Sequence, residues 1–394
     1  MGRAHWSASL PSMLIVKMPT NVPTSLAVPR FIGSQDPQVT MRHIREFLAV
    51  HNCYGLNLDA PWLDEVFSAY RQPHRFFHTL DHLKSICDLI HAQVTDAETA
   101  AQMLLAALFH DVVWYPQRKD NEEQSAKAFE QLSGSFGVEL PKSAAEAVRT
   151  IIMTTKSQRK INAMARQFHE FDCNVLLHGD QVDLLAYEFQ IFREFQFLSL
   201  KEYRKGRSDF FRRFSQRFPE AKANMQFLIE YLERRRPRVG LYAGTFNPFH
   251  IGHFGILQKA ELMFDKVILA VGLNPSKNLH HTHSEVVDQV RKLLPFHEVI
   301  FFDTLMVDLL DEITPYADVT LVRGLRNGYD LDYEMSQQCF MQEMRPETVS
   351  VYIPCDKQFE HISSSSLRSL KIFDCRGRDQ IYYPHLYDYY PGER

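Results

Sequence analysis

No stretch of this 394-residue chain reaches the ~20 consecutive apolar residues a membrane helix needs, so no membrane partner is expected. The six cysteines (Cys53, Cys87, Cys173, Cys339, Cys355, Cys375) are scattered and include no CxxC pair, which points to reduced thiols in a cytoplasmic protein. There is no excess of basic charge either. The formal net charge is −4, and a nucleic-acid binder needs clustered Lys and Arg to meet phosphates, so nucleic acid is not an expected partner. The one basic run, Arg234-Arg235-Arg236-Pro237-Arg238, reads as a solvated linker. Internal repeats and low-complexity segments are missing. The apolar patch Met13-Leu14-Ile15-Val16 ends at Lys17 and Pro19, too short for a signal peptide, and residues 1–36 read as a loose tail or partly ordered arm.

What is present is ordinary globular composition. Hydrophobic residues make up 45% and charged residues 23%, and the length suits two domains. From 37 to 236 glycine is sparse and apolar residues recur at helical spacing, as in Ile44-Phe47-Leu48, Leu83-Ile86-Leu89-Ile90 and Met103-Leu104-Ala107-Leu108. This half is expected to be all-α. The texture changes at Pro237. Val239 to Ala243 reads as a buried parallel strand, and a helix is expected from about Gly252 to Met263. Further strands are expected at Lys266–Val271, Glu298–Phe302, Val319–Val322 and Val349–Ile353. Helical stretches between them predict an α/β doubly wound parallel sheet of Rossmann type over 237–374, followed by a tail over 375–394.

Gly244-Thr245-Phe246-Asn247-Pro248-Phe249-His250-Ile251-Gly252-His253 falls between the first strand and its helix. Gly244 lets the backbone approach a ligand, and His250 and His253 stand together at a helix start whose free N–H groups favour an anion. This string resembles the (T/H)xGH motif of the adenylyltransferase superfamily. His361-Ile362-Ser363-Ser364-Ser365-Ser366-Leu367-Arg368 resembles its ISSTxxR-type phosphate loop. Arg323-Gly324-Leu325-Arg326 with Asp330-Leu331-Asp332-Tyr333-Glu334, Asn274-Pro275-Ser276-Lys277, and Leu305-Met306 are similar to segments of the phosphopantetheine adenylyltransferases.

The resemblance implies adenylyl transfer from ATP, with Mg²⁺, to 4′-phosphopantetheine, by direct attack and with no covalent enzyme intermediate. It assigns His253 and Lys277 to catalysis, with His253 at the α-phosphate. Thr245, Lys277 and Arg323 would hold the acceptor phosphate, and Leu305 and Met306 the pantetheine arm. Gly244, Thr245, Phe246, His250, His253, Gly324, Arg326, Glu334, Ser363, Ser364, Ser365, Ser366 and Arg368 would hold ATP. Three departures stand: Asn278 after Lys277, Glu285-Val286 in place of Glu-Arg, and an aromatic, Pro-containing tail from Tyr382. The family's hexamer is therefore not carried over, and a homo-oligomer is left open.

The helical half has a second constellation: Phe77-His78-Thr79-Leu80-Asp81-His82, Phe109-His110-Asp111, and Asp172. Four-residue spacing places His78 and His82 on one helix face. His110-Asp111 closes a strongly apolar helix, where an uncompensated charge is costly and a metal ion is the natural reason for it. Two imidazoles and two carboxylates suit a divalent transition metal (Mn, Fe, Co, Ni or Zn) that activates water for phosphoester hydrolysis. The pattern resembles the HD superfamily of metal-dependent phosphohydrolases, with Arg75, Asn121-Glu122-Glu123, Tyr203 and Gly206-Arg207 in support. That resemblance makes His82, His110, Asp111 and Asp172 the ligands and His78 the donor of a proton to the leaving group, with Glu122 positioning water or substrate. Ser157-Gln158 stands where related proteins often carry a histidine, which favours one metal over two. His74, His169 and His178 read as surface or packing residues.

The whole chain thus reads as a bifunctional enzyme. Two alternatives are a helical domain that only senses a nucleotide and regulates the transferase, and a transferase that takes another acceptor such as nicotinamide mononucleotide.

Overall fold

The computed structural model describes residues 36–155, 162–272, 283–372 and 377–384. The N-terminal arm, Asn274-Pro275-Ser276-Lys277, Asn278, Ser157-Gln158 and the end of the aromatic tail lie outside the described residues.

Among the described residues seven helices come first: α1 (Pro37–Val50), α2 (Trp62–Ala69), α3 (Leu80–Gln93), α4 (Ala97–Phe109), α5 (Asn121–Ser133), α6 (Lys142–Thr154) and α7 (Ala163–Asp172). Side-chain oxygens set several of their starts, because the first turn of a helix leaves N–H groups unpaired. Asp36, Asp96 and Asn162 accept the backbone N–H of Gln38, Thr99 and Ala165. Helix α4 is buried on every side from Ala100 to Phe109, so the other helices wrap around it. Trp62, Phe109, Phe129 and Phe136 fill one end of that core with ring contacts.

A second helical group follows: α8 (Asn174–His178), α9 (Gln181–Glu194), α10 (Leu200–Arg217) and α11 (Lys222–Arg234). Capping boxes start α9 (Asp180 with Asp183) and α10 (Ser199 with Glu202). The remainder alternates strand and helix: β1 (Arg238–Gly244), α12 (Ile251–Glu261), β2 (Lys266–Gly272), α13 (His283–Leu293), β3 (Glu298–Phe302), α14 (Met306–Ile313), β4 (Asp318–Leu325), α15 (Gly328–Met344), β5 (Ser350–Pro354) and α16 (Ser364–Ile372). The five strands among the described residues are all parallel, in the order β3-β2-β1-β4-β5. The expected strands are present, with β3 at the expected limits and the others shifted or extended at their ends.

Strand alternation sends Tyr242, Val267, Leu269, Val271 and Val322 to one face, under α12 and α13. Val239, Leu241, Ala243, Ile268, Ala270 and Leu321 point to the other. There they join one apolar cluster with α14, α15 and the helical group α8–α11. Position 236/237 separates helix from strand, yet the core runs through it.

At this junction Arg234, Arg236 and Arg238 are exposed, as the reading from sequence expects, yet three guanidinium groups of the run also hold fixed partners. Arg236 donates to the carbonyls of Thr314 and Ala317 and pairs with Asp318 at 2.9 Å. Arg235 lies over the rings of Phe192, Phe189 and Tyr231, and Arg238 pairs with Asp265 at 2.9 Å. Lysine 266, buried at the start of β2, donates to the carbonyls of Gln196 and Leu198 and pairs with Glu298 of β3 at 3.0 Å.

Leu228 of α11 is wholly enclosed in the shared cluster. Leu228→Ala should cost about 2–5 kcal/mol in denaturant unfolding. In hydrogen exchange the amides of β1 and β4 should lose protection together with those of α11. A loss confined to the helices would show that the sheet stands without them.

Candidate functional site

Strand β1 is the central strand, and the order of the sheet reverses between it and β4. Their carboxyl ends part there and leave the crevice where doubly wound sheets bind ligands. A cleft of about 380 Å³ occupies this place. Gly244 ends β1 with its face toward the Phe246 ring, where an added Cβ would come within 3.0 Å of that ring. Phe246 itself has φ 42°, a left-handed backbone unusual for an aromatic residue, and Tyr242, Phe249 and His253 surround its ring.

His250 caps α12 and His253 is its third residue. The His250 N–H donates to His253 Nδ1 at 3.3 Å, and the two imidazoles stack with centroids 3.7 Å apart. Burial, and then the nearby Arg326 charge, push the His250 pKa down to about 4. It is a neutral imidazole at physiological pH.

A second helix start meets the first. Ser363 accepts the N–H of Ser366, Ser364 donates to the carbonyl of Pro248 at 3.0 Å, and Arg368 donates to the carbonyl of Asn247. The serines expected as a loop therefore form the first turn of α16, tied to the turn that opens α12. Two sets of free N–H groups converge on one cleft, an arrangement suited to phosphate.

The opposite wall is charged. Arg323 faces Glu334 at 3.3 Å, and burial raises the Glu334 carboxyl above its ordinary range. Arg326 makes a two-pronged contact with Asp330, at 2.9 Å on each prong. Gly244, Thr245, Phe246, His250, His253, Arg323, Gly324, Arg326, Glu334 and Ser363 to Ser365 all line the cleft. Ser366 and Arg368 stand behind the lining. Leu305 and Met306 are outside it: Leu305 is 57% exposed at the start of α14, and Met306 packs against the shared core. Lys277 lies outside the described residues. The cleft adds Tyr242, Cys355 and Ile362, for which the sequence offered no signal beyond strand ends and motif flanks.

In the helical half, His82, His110 and Asp172 come together, with one ligand atom from each within 4.8 Å of the others. His82 Nε2 is 3.2 Å and His110 Nε2 3.6 Å from Asp172 Oδ1, while Asp111 Oδ2 is 3.1 Å from His110 Nε2. Both Nε2 atoms are buried without a hydrogen-bond partner of proper geometry. His110 Nδ1 is 2.8 Å from the carbonyl of Ala107, which fixes the proton there and turns the Nε2 lone pair inward. This donor set fits a divalent cation. Burial works against charge on His110, but Asp111 and Asp172 outweigh it and hold its pKa well above the usual value. A cation would take the place of that proton.

His78 precedes α3 and does not share a helix face with His82, which corrects the expectation from spacing. The rings sit edge-on with centroids 5.8 Å apart. His78 Nδ1 is 2.6 Å from Glu194, a residue no local spacing pointed to. Its only sequence signal is that α9 carries Glu188 and Glu194 among apolar neighbours. Glu122 sits in the first turn of α5, away from the cleft of about 200 Å³ beside His82 and Asp172. His74 and His169 are buried, whereas His178 is exposed, and His169 Nδ1 lies 3.9 Å from Asp172. No described helix is long and apolar enough to cross a membrane.

A comparison with known families matches residues 241–370 to the cytidylyltransferase-like family. Phosphopantetheine adenylyltransferase of Bartonella quintana (strain Toulouse) is 36% identical over 141 residues, covering 34% of this chain and 80% of that protein. The Kocuria rhizophila protein of the same name is 33% identical over 132 residues, covering 32% of this chain and 82% of its own length.

The unfolded chain binds a proton on histidine near pH 6.5. Because His250 resists protonation until about pH 4, its stabilising contribution is complete above pH 6.5 and is lost as pH falls through the folded value. In the ligand-free protein the His250 ring resonances should hold still from neutral pH down to about pH 5. A midpoint near the ordinary histidine value would contradict the burial argument.

Proposed function

Through its C-terminal domain the chain belongs to the phosphopantetheine adenylyltransferase family, and on that premise we propose that it transfers the adenylyl group of ATP to 4′-phosphopantetheine. The observation that carries this reading is the convergence of the α12 and α16 starts with Arg323, Arg326 and His253 around one cleft. An oxygen of the acceptor phosphate attacks the α-phosphorus of ATP, the bond to the β-phosphate bridging oxygen breaks, and pyrophosphate leaves with dephospho-CoA as the other product.

The protein's work is placement and charge stabilisation. His253 stands at the α-phosphate. Thr245, Lys277 and Arg323 hold the acceptor phosphate, while Leu305 and Met306, outside the cleft lining, are assigned to its arm by the motif alone. Gly244, Phe246, Gly324, Arg326, Glu334, the serines 363 to 366 and Arg368 build the ATP side. His250, neutral, donates or accepts a hydrogen bond there without adding charge. Mg²⁺ accompanies ATP as part of the substrate.

For the helical half we propose a metal-dependent phosphohydrolase of HD type. Its support is the pair of buried Nε2 atoms of His82 and His110, set among Asp172 and Asp111 without a hydrogen bond of proper geometry. The cation held there would activate water and neutralise charge on the phosphate. His78 gives a proton to the leaving oxygen.

With ATP, Mg²⁺ and 4′-phosphopantetheine the protein should release pyrophosphate and dephospho-CoA, and His253→Ala should lower kcat by about 10²–10³. Product with nicotinamide mononucleotide instead would overturn the acceptor. In calorimetry the chain should take up about one Mn²⁺ ion, and His110→Ala should abolish binding. No uptake by the intact chain would remove the hydrolase reading and favour a sensing module.

A further inference from the structure

Glu194 ends α9 and is 1% exposed. Its Oε1 accepts the backbone N–H groups of Phe76, Phe77 and His78 at 2.8, 2.7 and 3.0 Å. Its Oε2 accepts the indole N–H of Trp114 at 3.0 Å and lies 2.6 Å from His78 Nδ1. A buried carboxylate is costly unless its lone pairs are satisfied, and here five donors converge on it. The Trp114 ring lies against the His78 imidazole, with centroids 3.7 Å apart and planes 29° from parallel. The imidazole is therefore held at its Nδ1 edge and across one face, with Nε2 directed toward Asp111 at 3.8 Å. Two and four residues further along the chain, the carbonyls of Gln196 and Leu198 accept the buried ammonium of Lys266 on β2. One short segment thus grips His78 at one end and the sheet at the other.

We propose that Glu194 is the positioning residue of the helical site, presenting His78 with Nδ1 bound and Nε2 free for the substrate, and that Lys266 anchors the segment that delivers it. The helical site is in this sense completed by the sheet. The proposal rests on the hydrolase reading above. In that reaction an alkyl phosphomonoester and water become an alcohol and hydrogen phosphate. The water oxygen forms the new bond to phosphorus while the bond from phosphorus to the ester oxygen breaks, its electron pair staying on that oxygen. The ester oxygen takes a proton from His78 Nε2. One hydrogen of the water remains on the phosphate product, and the other replaces the proton that His78 gave up.

The test uses the full chain loaded with Mn²⁺ and two substrates. Glycerol 3-phosphate leaves as an alkoxide that needs a proton, whereas p-nitrophenyl phosphate leaves as an anion stable without one. Glu194→Gln keeps the size of the side chain and an oxygen for the backbone N–H groups, but places an amide N–H against His78. It should lower kcat for glycerol 3-phosphate by roughly 10² while changing p-nitrophenyl phosphate by less than about threefold. Proton NMR should show a far-downfield His78 Nδ1–H signal in the unsubstituted protein and none in Glu194→Gln, and a cooperative thermal transition should show that the variant is still folded. Lys266→Met combined with Glu298→Gln, which removes both buried charges together, should give a weaker loss of the same substrate dependence. Equal losses on both substrates, or no loss, would make Glu194 a purely structural residue and overturn the proposal. Full glycerol 3-phosphate turnover in the double variant would overturn the part assigned to Lys266. If the unsubstituted protein cleaves neither substrate although it binds Mn²⁺, the hydrolase reading falls and the proposal with it.

Discussion

A parallel sheet is apolar on both faces, so each face needs a cover before the strands can persist in water. In this protein α12 and α13 cover one face from within the α/β unit, but α14 and α15 share the other with helices made earlier in the chain. The crevice between β1 and β4 keeps its shape only while the strands beneath it stay in register. The junction follows from the same constraint. Arg235, Arg236, Arg238 and Lys266 are fastened to rings, carbonyls and carboxylates because the surfaces on either side of them are already in contact.

The two candidate sites handle charge in opposite ways. The crevice gathers uncharged donors, the starts of two helices and a neutral His250, and keeps its guanidinium groups partnered by Glu334 and Asp330. Such a site offers an anion preorganised dipoles with little fixed positive charge left unpaired. The helical cluster instead confines carboxylates with imidazoles in a buried place, and a proton on His110 balances them. Burial alone disfavours every charged form there, so the cluster calls for a positive partner of some kind.

Much of this was legible in the residues. The glycine and the two histidines after β1 announced a strand-to-helix turn, and short apolar runs located the strands to within a few residues. Local chemistry settled these features, so local sequence carried them. Where the reading failed, a distant partner decided. His78 looked like a helical residue paired with His82, but the N–H groups of residues 76 to 78 are taken by a carboxylate more than a hundred positions away, and α3 starts later. Arg236 is exposed as the sequence suggested, but its acceptors, the carbonyls of Thr314 and Ala317, lie some eighty positions downstream and were not legible locally. Leu305 and Met306 were placed by motif alone, and exposure and packing put them outside the cleft lining.

The shared apolar cluster also fixes an order of events during synthesis. Helices α9 to α11 are finished by Arg234, but the strands they pack against are not complete until Leu325. While the intervening stretch is being translated, Leu184, Phe211 and Leu228 have only the rest of their helical group to shield them. Glu194 is carried on that same incompletely covered group. Helices α1 to α7 close their own core without the sheet, so the part of the chain that waits is the middle one, α8 to α11.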